Sequence, residues 1–324
     1  MTTLYPWLEP CRLTVTKALE QGRLPHGLLL SGPDGLGKAR LVEAITAQLL
    51  CQSATLEAGA CGHGDACAQL AAGSHPDYLT VGIEEDASVI KVDQIRALGE
   101  QLSLSSHQGG YKVAVINPAD LMNINAQNSL LKTLEEPSDN TVLLLVSERP
   151  SQLQATVRSR CQQIRLEVPE QDMALRWLGK QGLEGPLETY LLMAHGAPLA
   201  ALQQARAGSI ESRREHFNAL VGILEGRATP IAVAEAWSKE TDMQGLRWMQ
   251  EWLMDLLRIS MTGQTGTIRS IDLQEGLIRL ADRLDNRVLF GQLERINRML
   301  GQSAASLNRQ LQTEDVLLAW AAQA

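Results

Sequence analysis

The sequence predicts an α/β domain, a parallel sheet with helices on both faces, followed by a small helical domain and an all-α domain. Three observations carry this. Short, near-continuous apolar runs recur through the first half, and each alternates with a helical pattern, as strands buried on both faces of a parallel sheet require. Such runs vanish after about residue 168. From there helical periodicity takes over and continues toward the C-terminus.

The first unit is HGLLLSG (26–32), an apolar strand ending in glycine, followed by the amphipathic stretch KARLVEAITAQLL. Strand, loop and helix in that order make a nucleotide-binding unit. Residues 51–73 are rich in Ala and Gly and poor in large apolar side chains, so they read as an insertion outside the sheet that needs its own staple. HPDYLTVG (75–82) supplies a further strand. YKVAVINPAD (111–120) leads into the helical NAQNSLLKTLEE (125–136), and TVLLLVSE (141–148) follows Pro137 and Asn140. Beyond residue 168, PEQDMALRWLGKQG and GPLETYLLMAHGAPLAALQQARAG (185–208) form a small helical unit bounded by glycines placed as C-caps. From about 209 every strong segment is helical. In GLRWMQEWLMDLLRISM, Leu246, Met249, Leu253, Leu256 and Leu257 share one face, widened by Trp248, Trp252 and Met254, and are expected to be core. The boundaries are 1–167, 168–207 and 208–324.

At 324 residues and 44% hydrophobic, the chain can bury more than one core. A net charge of −8 disfavours tight, chain-wide contact with nucleic acid, which draws on clustered Lys and Arg; a local basic patch stays open. No run of about 18 apolar residues and no charged-then-apolar leader is seen, so neither a membrane span nor a signal peptide is indicated and a cytoplasmic location is expected. Five cysteines, three of them between 51 and 67, fit a reduced compartment and a metal cluster better than a disulfide framework. Cys11 and Cys161 stand alone.

GPDGLGKAR (32–40) falls one residue short of a phosphate-binding loop. Gly32, Gly37 and Lys38 meet the pattern, but Ala39 stands where a hydroxyl should follow the lysine. Gly32 and Gly37 let backbone N–H groups face an anion and Lys38 supplies a point charge, whereas an alanine methyl cannot hold Mg2+. The acidic pair wanted at the end of a neighbouring strand is also missing. After VAVI come Asn117 and Pro118, with Asp120 displaced along the chain. Two independent losses point the same way, so no ATP hydrolysis is expected, while nucleotide binding by Gly32, Gly37 and Lys38 stays open.

The run NSLLKTLEEPSDNTVLLLVSERPSQLQATVRSRCQQIRL (128–166), with LPHGLLLSGPDGLGK, SHPDY (74–78), VDQIR (92–96) and SLNRQLQTEDVLLAW, closely resembles the clamp-loader branch of the AAA+ ATPases, and the resemblance covers essentially the whole chain. It implies an AAA+ domain over 1–167, a small helical lid and a helical collar. It also implies a non-hydrolysing structural subunit in the hetero-pentameric ring of a bacterial DNA polymerase III clamp loader, beside motor subunits and delta, with the sliding clamp and primed DNA as indirect partners. Within the Ser-Arg-Cys triplet, Arg160 takes the role of an arginine finger acting in trans on a neighbour's ATP, with Ser159 and Cys161 shaping its loop; Arg158 is an alternative on the same loop. Ala197, Pro198 and Leu199 stand where a motor would carry its sensor arginine, and Ser147 occupies a sensor-like strand end. Two rivals remain: a motor-type ATPase using Lys38, and a zinc-dependent DNA-binding module.

In that family a zinc module of spacing C-x8-C-x2-C-x2-C is common at this place. Here Cys51, Cys61 and Cys67 are present, and Gly64 replaces the third ligand. Three thiolates are one short of a closed structural site. His63, the preferred candidate, or Asp65 would complete a tetrahedron; the other reading is three free thiols. His26 and His75 read as strand-edge residues.

Overall fold

The computed structural model describes residues 4–323 apart from 56–58, 86, 184, 241–242, 265, 267 and 302–307. Part of the cysteine segment (56–58) and the first two residues of SLNRQLQTEDVLLAW (306–307) thus lie outside the described residues. The chain divides into two compact units between Met173 and Ala174.

In the first unit the order is α1 (Glu9–Glu20), β1 (Gly27–Ser31), α2 (Lys38–Leu50), α3 (Asp65–Ala71), β2 (Tyr78–Val81), α4 (Val92–Ser103), β3 (Lys112–Ile116), α5 (Ile124–Glu135), β4 (Thr141–Ser147), α6 (Ala155–Arg158) and β5 (Gln162–Arg165). All pairings are parallel, in the order β2-β3-β4-β1-β5. β1, β3 and β4 are buried along their whole length because both faces are covered. Leu29, Ala114, Ile116, Leu143 and Leu145 pack with Leu98 of α4 and Leu130 of α5, while α2 lies against β3 and β4. The predicted α/β class holds.

β5 was not predicted. Only Ile164 of its four residues is buried, so an edge strand of this kind carries no apolar run to read. Asp120 is also nearer the sheet than chain distance suggests. A short 3-10 turn, Ala119–Leu121, follows the cis Asn117–Pro118 peptide and brings its carboxylate to the backbone N–H of Glu148 at 3.3 Å.

Asp77, just before β2, is a buried anchor. Its carboxylate accepts hydrogen bonds from Ser106 Oγ (3.0 Å) and from the N–H groups of His107 (2.8 Å) and Gln108 (3.0 Å). Burial works against the charge, but these donors outweigh it and hold the carboxyl below the usual range. A lowered folded-state value means stability that is present above the unfolded-state pKa and lost as pH falls through the folded one. Asp77→Asn is therefore expected to cost about 1–3 kcal/mol at neutral pH. In urea melts the gap to wild type should close below about pH 4.

In the second unit, to which α7 (Gln171–Gly179) runs in, the 185–208 segment forms two helices, α8 (Leu187–Met193) and α9 (Pro198–Arg206). His195 and Gly196, both at positive φ, turn the chain between them. Ala174, Leu178, Tyr190, Leu191 and Ala201 make a small core of their own. α10 (Ser209–Leu224), α11 (Pro230–Ser238), α12 (Gln244–Thr262), α13 (Gln274–Ala281), α14 (Asn286–Gly301) and α15 (Arg309–Ala321) pack around Phe217, Trp252 and Trp320. The predicted stripe of α12 is buried, apart from the half-buried Met254.

One residue of α12 outside the predicted stripe is also fully buried, Asp255. Its carboxylate accepts from Arg258 (2.6 Å) and from the backbone N–H groups of Arg269 (3.3 Å) and Ser270 (3.0 Å). Beside it Arg213, 1% exposed, donates to Asp272 (2.9 Å), Ser270 Oγ (2.8 Å) and Glu251 (3.2 Å). Glu251 also meets His195 Nε2 at 3.2 Å, and Arg269 donates to His195 Nδ1 at 2.9 Å, which leaves the ring proton on Nε2 facing Glu251.

Candidate functional site

β1 delivers Gly32 to the carboxyl edge of the sheet, where its N–H donates to Ser147 O at 3.3 Å. Gly37, at φ 85°, then starts α2 in a conformation that glycine takes without strain. The loop lysine does not reach outward. Lys38 Nζ donates to the carbonyls of Gly32 (2.9 Å) and Pro33 (2.7 Å) and pairs with Glu148 at 3.5 Å, leaving the side chain 8% exposed. Its three donor positions are thereby directed at acceptors of this chain. Ala39 is exposed and brings no oxygen; Ser147 is buried, and its hydroxyl has no partner among the described residues.

The Ser-Arg-Cys turn sits at the opposite edge. Because β5 runs parallel to β1 with Gln162 opposite Leu28, the residues preceding Gln162 lie at the amino ends of the strands. Gly27 permits the close approach. A Cβ there would stand 2.9 Å from Leu134 and 3.3 Å from both Arg160 O and Cys161 Sγ. Cys161 is packed into the sheet's core, where burial pushes its thiol up to about 11, so it anchors the turn and is no nucleophile at neutral pH. Ser159 Oγ donates to Thr156 O at 3.1 Å. Arg160 itself is exposed and aimed by two contacts, Glu135 at the end of α5 (2.7 Å) and Thr156 O (3.0 Å). Arg158, the alternative, is half-buried, and its Nε lacks a partner among the described residues. His26 completes this edge by bonding Leu134 O at 2.7 Å.

Four strand steps, about 13 Å at ~3.3 Å each, separate Gly27 from Ser31 along β1. Arg160 and Lys38 therefore belong to different ends of one sheet, and the arginine does not serve its own loop.

The three cysteines come together. Cys51 and Cys61 Sγ are 3.5 Å apart, Cys61 and Cys67 Sγ 3.8 Å, and all three lie within 4.8 Å of one another. A tetrahedral zinc site with Zn–S near 2.3 Å spaces its sulfurs by about 3.8 Å, so the trio fits three corners. The N–H groups of His63 and Gly64 and the Cys51 thiol bring Cys61 down to about 6, whereas burial pushes Cys67 up to about 11. His63 is exposed, and its ring stands outside the group, as does Asp65; the trio forms without either.

Two family profiles match the chain, one described as DNA polymerase III, delta subunit, over residues 12–170, and one as its C-terminal part, over 207–322. The DNA polymerase III subunit delta' of Pseudomonas aeruginosa is 36% identical over 99% of this chain and 98% of its own length. The chain belongs to the DNA polymerase III delta-prime family. The delta-prime subunit of Escherichia coli is 31% identical over 97% of the chain and 94% of its own length, and that of Haemophilus influenzae 34% over 80% and 78%.

Membership in the delta-prime family agrees with the resemblance carried by LLKTLEEP and the Ser-Arg-Cys triplet. Where a motor would hold its sensor arginine, Ala197 caps α9 and Pro198 and Leu199 open it. Sequence reasoning missed the residues that aim the charges. Glu135 lies inside the quoted LLKTLEEP motif and was legible as an acid at a helix end; Glu148 directly follows Ser147, but nothing local marks it as the partner of Lys38.

Proposed function

We propose that this delta-prime family member is a non-hydrolysing structural subunit of a DNA polymerase III clamp loader. It would sit in a ring with motor subunits and delta and present Arg160 in trans to a neighbour's ATP while the sliding clamp is placed on primed DNA. The observation that carries this is the pair of opposite edges: Lys38 turned onto its own loop and Glu148 at one, Arg160 exposed and aimed by Glu135 at the other. Charge developing on a transferring phosphoryl group needs a positioned guanidinium, and a planar fork already oriented supplies it with little reorganisation. Cys51, Cys61 and Cys67 would hold a zinc ion, which lends folding free energy to a segment of small residues.

Mixing the purified chain with the motor and delta subunits is expected to give one hetero-oligomer on gel filtration, and the chain alone should show no Mg-dependent ATP turnover. Turnover by the isolated chain would move it to the motor class. Within the assembled complex, Lys38→Ala should leave steady-state ATP turnover unchanged, because that ammonium is occupied by Gly32, Pro33 and Glu148. A motor loop would lose its activity with the same substitution.

A further inference from the structure

The three-thiol cluster has one corner that no side chain among the described residues fills, and the backbone shows which. Gly64 lies at φ −78° and ψ 165°, ordinary extended geometry open to any residue. A Cβ built there would stand 3.3 Å from Cys61 Sγ, so position 64 adjoins the cluster on the Cys61 side. As glycine it offers only its N–H, donated to Cys61 Sγ at 3.4 Å. The flanking residues do not substitute, since His63 and Asp65 are exposed and carry their ligand atoms outside the group.

Structural zinc sites close with four protein ligands, while sites with three leave the fourth position to solvent or another small ligand. We propose that Cys51, Cys61 and Cys67 bind one thiophilic divalent cation with its fourth position, beside Gly64, open to an exchangeable ligand from solution. This rests on the metal reading of the cluster given above. The open corner follows from the glycine at residue 64, and one substitution there closes it.

Anaerobic titration of the full chain with Co2+ reads both points. Thiolate-to-metal charge-transfer absorption should saturate at one equivalent, and adding imidazole or a small thiol should then shift the ligand-field bands of the wild type. Gly64→Cys should be indifferent to the additive and should hold the metal more tightly by on the order of 10–100-fold or more, the range that even outer-shell partners contribute. His63→Ala should keep the wild-type response. Absence of the charge-transfer band in the wild type defeats the metal reading and the proposal together. A band that ignores added ligand, or an altered spectrum in His63→Ala, leaves the metal reading standing and overturns the open corner.

Discussion

Arg160→Ala is expected to slow hydrolysis at the one neighbouring ATP site it faces by ~10³-fold, the lower end of the effect of arginine fingers in other phosphoryl-transfer systems, and to lower the turnover of the assembled complex by that site's share. The substitution should not unfold the chain. Arg160 is exposed, and its pair with Glu135 is a surface ion pair of the kind that contributes about 1 kcal/mol or less. Loss of activity with unchanged melting of the isolated subunit would thus separate a role in trans from a structural one. Arg160→Lys should recover only part of the rate, because a point charge does not reproduce a planar fork. Glu135→Ala should give a smaller loss, since it removes the aim and keeps the charge. Unchanged clamp loading by the Arg160→Ala complex would sink the reading.

The largest stability effect is expected at Arg213. Arg213→Ala leaves Asp272 buried without its cation and Ser270 Oγ without its donor, and breaking a buried pair from one side costs about 3–5 kcal/mol. The loss also strips a cation from the face of Trp252, at 5.8 Å. Tryptophan fluorescence in a urea titration is a suitable probe, because Trp7 alone among the six tryptophans lies in the first unit. Replacing both partners, Arg213→Met with Asp272→Leu, should return much of the loss, as apolar pairs of similar size often match buried ion pairs. A loss below about 1 kcal/mol for Arg213→Ala would instead put the network in the range of surface pairs.

The parts of the fold legible in the sequence were those that physics writes locally. GLLLS, KVAVI and TVLLLVS are buried at every position and mostly apolar because both faces are covered, and such runs are visible without partners. QQIR, on the edge, buries one residue in four and leaves no such trace. Helix α1 was missed for the same reason, burying only Val15 and Thr16. Among the site residues, the cysteines and Arg160 stood out by spacing and motif. The partners that decide what they do are set by tertiary approach. Glu148 lies 110 positions from Lys38 and meets it only once β4 is paired with β1. Arg213 sits in SRREHF among residues of the same polarity, so nothing local separates the buried arginine from its exposed neighbour Arg214. Asp255 lay outside the predicted stripe and was unreadable as core, because what permits its burial is the approach of the distant Arg269 and Ser270 amides.

The uniform direction of the five strands gives the sheet a front and a back that are chemically unlike. In the proposed ring such a subunit would join its neighbours head to tail, with a different surface offered on each side. Toward one neighbour it would extend an exposed guanidinium already aimed by Glu135; toward the other it would show a phosphate loop whose lysine is already spent inside the chain. A row of ATP sites, each built between two adjacent subunits, would then stop at this one. Such a chain would act as the terminus of the row, fixing where the sequence of firing sites ends and so giving the proposed ring a sense of direction that identical motors could not supply.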